Sequence, residues 1–285
     1  MLSPPSKPEP DDFTNSTTQG SKDVIWYQDA LEKVPDIAQQ ILVNYAGIPE
    51  PEVLDHIYRV REKAWNILPY PCIGNFKFLS FPNPLSPVYP EALARIRTGH
   101  RFLDLGCCVG QGIRKLVYDG APAENLIGVD CEGRFVDLGY ELFNDRGSLR
   151  TEFYVQDVFD ENFLSHLRGQ VDIIYLGLFL HLFSFDRQKV IMAQVMKLLR
   201  KRKGSLVYGR HVGGSEGGVL RNEAFGWDLY YHSPETIREL FEVGGDGEWD
   251  VQVQLYACEL RGWEKDVQGD GGGQDEQMAF VARRL

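Results

Sequence analysis

Residues 101–130 read RFLDLGCCVGQGIRKLVYDGAPAENLIGVD, and this stretch predicts the fold of the chain. An apolar run that carries Asp104 at its end leads into a glycine-rich turn, a segment with apolar residues at helical spacing, and a second apolar run that ends in Asp130. Strand, glycine turn, helix, strand and acid in this order are typical of a nucleotide site on a parallel sheet. The glycines let the backbone approach a ligand, and an acid roughly 20 residues past the first glycine can bind a ribose diol.

Apolar runs and helical patterns alternate along the chain from residue 101 onward. Strands are predicted at about 101–105, 126–130, 151–156, 171–177 and 203–209, with helices between them near 111–119, 132–145, 161–168 and 186–200. This alternation predicts a Rossmann-like α/β fold, a parallel sheet with helices on both faces. The two final strands follow each other without a helix, so we expect them to pair antiparallel.

The chain is predicted to have three parts. Residues 1–21 form a disordered leader, residues 22–99 a helical lid or substrate region, and residues 100–285 the core. Within the core, the Gly- and acid-rich residues 259–276 are expected to form a mobile hairpin insertion. A long helix with one apolar stripe is expected over 50–68.

Composition and charge exclude several functional classes. A net charge of −11 argues against a nucleic-acid substrate, since binding phosphate backbones needs clustered Lys and Arg. Five cysteines without a CxxC pair suit a reducing, cytoplasmic location rather than a disulfide framework or a zinc site. The most apolar stretch, 171–183, is shorter than the roughly 20 residues that span a bilayer, so no membrane span is predicted. No two histidines have helical ligand spacing, so no metal site is predicted either.

The acid before the first glycine distinguishes this turn from a dinucleotide-binding turn. A dinucleotide fold has G-x-G-x-x-G after its first strand, whereas residues 104–112 read DLGCCVGQG. A carboxylate beside a pyrophosphate is unfavourable, because like charges repel strongly where water is scarce. Beside a sulfonium or an α-ammonium group the same carboxylate is favourable, which points to S-adenosylmethionine rather than NAD.

At these residues the chain resembles the class I S-adenosylmethionine-dependent methyltransferases. FLDLGCCVGQG is similar to their first motif, GVD to the second and VQDVFD to the third, although the usual first motif has glycine where this chain has Cys108. More narrowly, YPCIGNFKFL, FLDLGCCVGQ and RKLVYDG resemble fungal secondary-metabolism methyltransferases, among them the carboxyl O-methyltransferases of meroterpenoid pathways. The resemblance implies a seven-stranded sheet with an antiparallel last strand and an N-terminal helical extension.

The resemblance also implies a set of cofactor-binding residues. They are Asp104, Gly106 and Cys107 at the methionyl group, Gly110 in the same turn, Asp130 at the ribose, and Cys131, Asp157 and Val158 at the adenine. Three of these residues have alternative structural interpretations: Asp104 and Asp130 can cap the helices that follow them, and Asp157 can be a turn acid.

The reaction that the resemblance implies is methylation of the carboxylate of a lipophilic terpenoid–polyketide acid. A carboxylic acid with a pKa near 4 is already ionised at neutral pH, whereas a phenol with a pKa near 10 needs a base such as His181, His211 or His232. His181 follows the fourth strand and Arg210 ends the fifth, so both are candidates for substrate positioning. A phenol or nitrogen acceptor, a non-catalytic regulator and a nicotinamide-dependent reductase remain alternatives.

Aromatic residues concentrate in the segments that lie outside the regular alternation. They include the N-terminal helices and residues 224–232, and they predict an apolar lid over the substrate, for which the glycine-rich residues 209–218 can be a hinge. The same apolar N-terminal helices can instead pair two subunits into a homodimer.

Overall fold

A computed structural model describes residues 21–24, 26–81, 86–220, 229–244, 246–257 and 276–285. The predicted leader and the predicted mobile insertion therefore lie almost wholly outside the described residues. The same holds for the aromatic residues 224–228.

In the described part of the chain, seven of the strands form one sheet. In chain order the strands are β1 Phe102–Leu105, β2 Leu126–Asp130, β3 Glu152–Val155, β4 Ile173–Gly177, β5 Leu206–Val212, β6 Gly218–Leu220, β7 Leu229–Tyr231, β8 Trp249–Ala257 and β9 Glu276–Arg284. The large sheet has the order β3-β2-β1-β4-β5-β9-β8, and β6 pairs with β7 separately. Strands β1 to β5 are parallel, and β9 is antiparallel to both β5 and β8. The predicted Rossmann-like sheet with a reversed last strand is confirmed.

Helices flank this sheet and also form the N-terminal extension. They are α1 Asp36–Asn44, α2 Val53–Ile67, α3 Pro71–Gly74, α4 Tyr89–Arg97, α5 Gln111–Tyr118, α6 Gly133–Leu142, α7 Phe185–Leu198 and α8 Pro234–Gly244. The helix predicted over 50–68 is α2, preceded by a 3₁₀ turn at Glu50–Glu52. None of the helices in the described ranges is both long and apolar enough to cross a bilayer.

Two predicted elements differ from the structure. The helix expected near 161–168 is instead a series of turns with a 3₁₀ helix at Ser165–Leu167. Side chains compete for its backbone there, since Asp160 accepts from the Asn162 amide at 2.8 Å, and Leu164 has a φ of +40°. The fifth strand lies three residues later than expected, because its pairing with β9 continues to Val212.

Within the part of the chain that the structure describes, the core has three apolar clusters, of which two lie on opposite faces of the sheet. One face packs β1, β2, β4 and β5 against α7 and α8, and the other packs them against α4 and α5. The third cluster joins α1, α2 and α3 to α6 and to the glycine turn, through residues such as Ile57, Val109 and Leu142. The N-terminal helices therefore lie directly against the turn that follows β1.

Candidate functional site

The glycine turn between β1 and α5 is held against β2 by backbone hydrogen bonds. The amides of Gly106 and Cys107 both donate to the carbonyl oxygen of Val129, at 2.8 and 3.0 Å. Gly106 has a φ of +77°, and a Cβ atom there would lie 2.5 Å from the ring of Phe179. Glycine is required at this position both by the backbone conformation and by the close packing of that ring.

Asp104 is a buried acid without a partner at the end of β1. It is 6% exposed, and no described residue donates a hydrogen bond to its carboxyl. A Cβ atom at Gly112 would lie 3.1 Å from its Oδ2, so the carboxyl faces the first turn of α5 without capping that helix. Burial and the charge of Asp130 raise the pKa of Asp104 to about 7. Such a site favours a cationic ligand and disfavours a phosphate.

Asp130 holds the backbone at the end of β2. Its Oδ2 accepts from the amide of Cys108 at 2.8 Å, and its Oδ1 accepts from the amide of Glu132 at 3.0 Å. Burial is the main cause that raises the pKa of Asp130, and these two hydrogen bonds oppose it. A carboxylate has about four acceptor sites, so further acceptor capacity remains for a ligand hydroxyl.

Cys108, which stands where the usual motif has glycine, adopts a left-handed backbone conformation. Its φ is +52°, and its thiol is close to that of Cys72 from the N-terminal region. A hydrogen bond with Cys72, followed by burial, raises the pKa of the Cys108 thiol. The N-terminal region thus contacts the turn at the residue where this chain departs from the usual motif.

The residues predicted to hold the adenine lie just past the ends of β2 and β3. Cys131 is exposed at the protein surface. Asp157 is exposed and accepts from the amide of Phe159 at 3.0 Å. This hydrogen bond is the one expected if Asp157 is a turn acid. Val158 is 5% exposed and belongs to the core.

Arg114 fixes the turn from below and was not predicted as a functional residue. Its side chain is fully buried, forms two 2.9 Å hydrogen bonds to the carboxylate of Asp145, and donates to the carbonyls of Val109 and Gly110 at 2.9 and 3.4 Å. Gly110 has a φ of +64°, and a Cβ atom there would lie 2.5 Å from Nη1 of Arg114. The sequence carries one signal for this role, which is that Arg114 is a charged residue on the apolar face of α5.

Three histidines meet near the ends of β4 and β5. The rings of His181 and His211 are 6.3 Å apart, and those of His211 and His232 are 6.1 Å apart. Neither ring nitrogen of His211 has a partner, and the same holds for Nδ1 of His181. Burial followed by the charge of Lys77 lowers the pKa of His181 to about 3. Burial also lowers the pKa of His232 to about 4 and that of His211 well below its ordinary value.

Arg210 does not join this histidine cluster. It neighbours His211 on β5, so the two side chains leave opposite faces of the sheet. The guanidinium donates to Gln277 and lies 5.4 Å from the ring of Tyr256. Arg210 is two residues past Tyr208, and Tyr208 is the register partner of Tyr175, so the Arg210 side chain leaves the face of the sheet that carries Asp104.

Tyr230 lies beside the histidines, and its ring is 5.0 Å from that of His232. Across the described ranges, no group of three or more His, Cys, Asp or Glu side chains is arranged to hold a metal ion.

Two family models match the chain. A meroterpenoid methyltransferase N-terminal domain matches residues 26–79, and a methyltransferase domain matches residues 102–202.

Fungal methyltransferases are similar to this chain over most of its length. The O-methyltransferase atr3 of Stereocaulon alpinum is 39% identical over 259 residues, which are 88% of this chain and 73% of that relative. The asnovolin E/chermesin D methyltransferase nvfJ of Aspergillus novofumigatus is 45% identical over 184 residues, which are 64% of this chain and 66% of that relative.

Among solved structures, phosphoethanolamine N-methyltransferase 2 of Haemonchus contortus, in complex with phosphomonomethylethanolamine and S-adenosylhomocysteine, superposes with a TM-score of 0.52 at 15% identity. The match covers 81% of this chain and 60% of that chain. A superposition at such low sequence identity shows that the two proteins share a fold, and it shows no more than that.

Proposed function

This chain belongs to the S-adenosylmethionine-dependent methyltransferases, and on that premise we propose that it methylates the carboxylate of a lipophilic terpenoid–polyketide acid to form the methyl ester. The relatives include fungal O-methyltransferases, and nvfJ is named for asnovolin E and chermesin D. The match of residues 26–79 to the meroterpenoid methyltransferase N-terminal domain supports an acceptor of that class.

The observation that carries the proposal is the unpartnered carboxyl of Asp104. Burial and the charge of Asp130 raise its pKa to about 7, and no cation of the described residues opposes this shift. S-adenosylmethionine carries an activated methyl group on a positively charged sulfur, together with an α-ammonium group. Asp104 would hold these charges, with the turn from Gly106 to Gly110 around the methionyl group.

The remaining cofactor contacts follow the ends of the next strands. Asp130 would accept from the ribose hydroxyls with its free lone pairs, while its two backbone hydrogen bonds keep the turn closed. Cys131, Asp157 and Val158 would border the adenine. These three lie together past β2 and β3, whose pairing ends at Asp130 and Val155.

The histidine cluster supports a carboxylate acceptor over a phenol. An imidazole with a pKa of about 4, such as His232, is a poor base for a phenol with a pKa of about 10, because that proton transfer is uphill by about 8 kcal/mol. A carboxylic acid is ionised at neutral pH and requires no base. The chain then has only to orient a carboxylate oxygen toward the methyl group and to exclude water.

The charge around the cluster also suits an anionic acceptor. Lys77 is close enough to His181 to lower the pKa of its imidazole. A cation beside neutral imidazoles attracts a carboxylate, and the unpartnered nitrogens of His181 and His211 can donate to its oxygens. His181 would therefore position the acceptor.

We also propose that residues 22–99 form a lid over the lipophilic part of the acceptor. The apolar cluster of the N-terminal region includes Val109 of the glycine turn together with aromatic side chains, among them Trp65, Tyr70 and Phe76. Lys77 follows directly after them, which would put the apolar and charged parts of the acceptor site in one segment. A cytoplasmic location suits the free thiols of the described cysteines, Cys72, Cys107, Cys108 and Cys131.

The test uses S-adenosylmethionine labelled in its methyl group and matched pairs of lipophilic acids and their methyl esters. We expect label in the acids and none in the esters, at a saturated rate that stays constant from about pH 6 to 9, since the acceptor is already ionised. Label in phenols alone, with a rate rising about tenfold per pH unit, would overturn the ester assignment. Cofactor binding without transfer to any acceptor would instead indicate a non-catalytic regulator.

A further inference from the structure

The buried pair of Arg114 and Asp145 is part of a longer chain of contacts. Asp145 is 3% exposed and accepts two hydrogen bonds from Arg114, and its Oδ2 also accepts from the hydroxyl of Tyr45 at 2.8 Å. Tyr45 ends α1 in the N-terminal region, 100 residues away in sequence. At the other end, Arg114 holds the carbonyls of Val109 and Gly110 in the glycine turn.

The surroundings make this chain of contacts rigid and dry. The rings of Tyr140, Phe143 and Phe153 lie 4.9 to 5.4 Å from the guanidinium of Arg114. Charge-assisted hydrogen bonds strengthen where water is excluded, and an unpaired charge there is costly. The orientation of Arg114, and with it the position of the turn carbonyls, therefore depends on how completely Asp145 is held.

The N-terminal helices also contact the helix that supports the turn. A ring nitrogen of His56 on α2 lies 3.0 Å from the carbonyl oxygen of Leu142 on α6. A Cβ atom at Gly139 on α6 would lie 2.2 Å from the carbonyl oxygen of Val109, so α6 packs directly on the turn. The N-terminal region thus reaches the turn by two routes, of which the Tyr45 route consists of directional hydrogen bonds.

We propose that Tyr45 is a positioning residue of the cofactor site: through Asp145 and Arg114 it fixes the glycine turn, so that the seating of the N-terminal region sets the affinity for S-adenosylmethionine. The inference rests on the proposed function for the identity of the ligand. It gives residues 22–99 a role in cofactor binding in addition to covering the acceptor. By thermodynamic reciprocity, the bound cofactor must also stabilise the seating of α1.

The test compares Tyr45→Phe with a matched control, Tyr118→Phe. Tyr118 accepts from Asn44 at 3.3 Å across the same junction between α1 and α5, but its ring is partly exposed and it makes no contact with Asp145. We expect Tyr45→Phe to raise the Kd for S-adenosylhomocysteine about two- to thirty-fold, the range of couplings through packed networks. Its KM for S-adenosylmethionine should rise with kcat at saturation unchanged, and Tyr118→Phe should change neither.

A second measurement uses the unaltered protein. S-adenosylhomocysteine should slow amide hydrogen exchange in α1, although α1 is expected to have no contact with the ligand. If the unaltered protein binds no S-adenosylhomocysteine, the proposed function fails. If it binds, and neither Tyr45→Phe affinity nor exchange in α1 changes, the function stands and the role of Tyr45 is overturned.

Discussion

Asp104 and Tyr175 are register partners on β1 and β4, and their side chains leave the same face of the sheet. Neither the Asp104 carboxyl nor the Tyr175 hydroxyl has a hydrogen-bond partner within the described residues. The hydroxyl also lies next to Gly177, where a Cβ atom would be 2.5 Å from it. Two adjacent buried polar groups without hydrogen-bond partners lower the stability of the fold. A cationic ligand that binds at the strand ends would give them a partner.

The binding of S-adenosylmethionine should depend on pH through Asp104. Because the pKa of Asp104 is raised to about 7, the affinity should be full above pH 7 and fall about tenfold per pH unit below it, as a proton competes with the cationic ligand. Asp104→Asn should weaken binding about tenfold or more and make it independent of pH. Calorimetry from pH 5.5 to about 8.5 measures both.

The same raised pKa has a consequence for the protein without ligand. The stability that protonated Asp104 contributes is full below its ordinary pKa of 3.8 and is lost as the pH rises through about 7. Thermal unfolding of Asp104→Asn should lack this loss. An equal pH dependence in both proteins would contradict the environment assigned to Asp104.

Tyr175→Phe should weaken cofactor binding without lowering stability. Removing a buried hydroxyl without a partner should leave the free energy of unfolding unchanged or slightly higher. The Kd for S-adenosylmethionine should rise about two- to tenfold if the hydroxyl contacts the ligand. Urea unfolding and calorimetry on the same preparation measure the two effects, and a clear loss of stability would show that the hydroxyl has a partner within the protein.

Gly106→Ala should abolish cofactor binding, because its Cβ would overlap the ring of Phe179 at 2.5 Å. The control is Gly204→Ala, since Gly204 has a similar φ of +83° but no atom within 4 Å of an added Cβ. Both variants pay about 1 to 2 kcal/mol for the left-handed backbone. A thermal shift with S-adenosylhomocysteine should be lost only in Gly106→Ala, and equal behaviour of the two would exclude a role for the Phe179 contact.

Arg114→Met should cost about 3 to 5 kcal/mol of unfolding free energy, because it leaves the buried Asp145 carboxylate without its cation. The double variant with Asp145→Leu should recover part of this loss. Arg134→Ala is the control, since its ion pair with Glu132 is exposed and should be worth less than about 1 kcal/mol. Urea denaturation gives all these values, and an equal loss in the control would contradict the role of burial.

The sequence by itself determined the sheet and the chemistry of its first turn. The alternation of apolar runs and helical patterns reports the core-facing side of each element, so β1 to β5 and the antiparallel pair of β8 and β9 could be predicted. The preference for a cationic ligand could also be inferred from the sequence, because Asp104 stands two residues before Gly106 in the same turn.

Only the tertiary structure decided which groups share that site and in what state. Tyr45, Asp145 and Arg114 are joined by contacts that span up to 100 residues, which no local pattern reports. The histidines become weak bases only because three chain segments bury them together. Burial and long-range packing set pKa values and hydrogen-bond partners, and both depend on the surroundings that folding assembles rather than on neighbours in sequence.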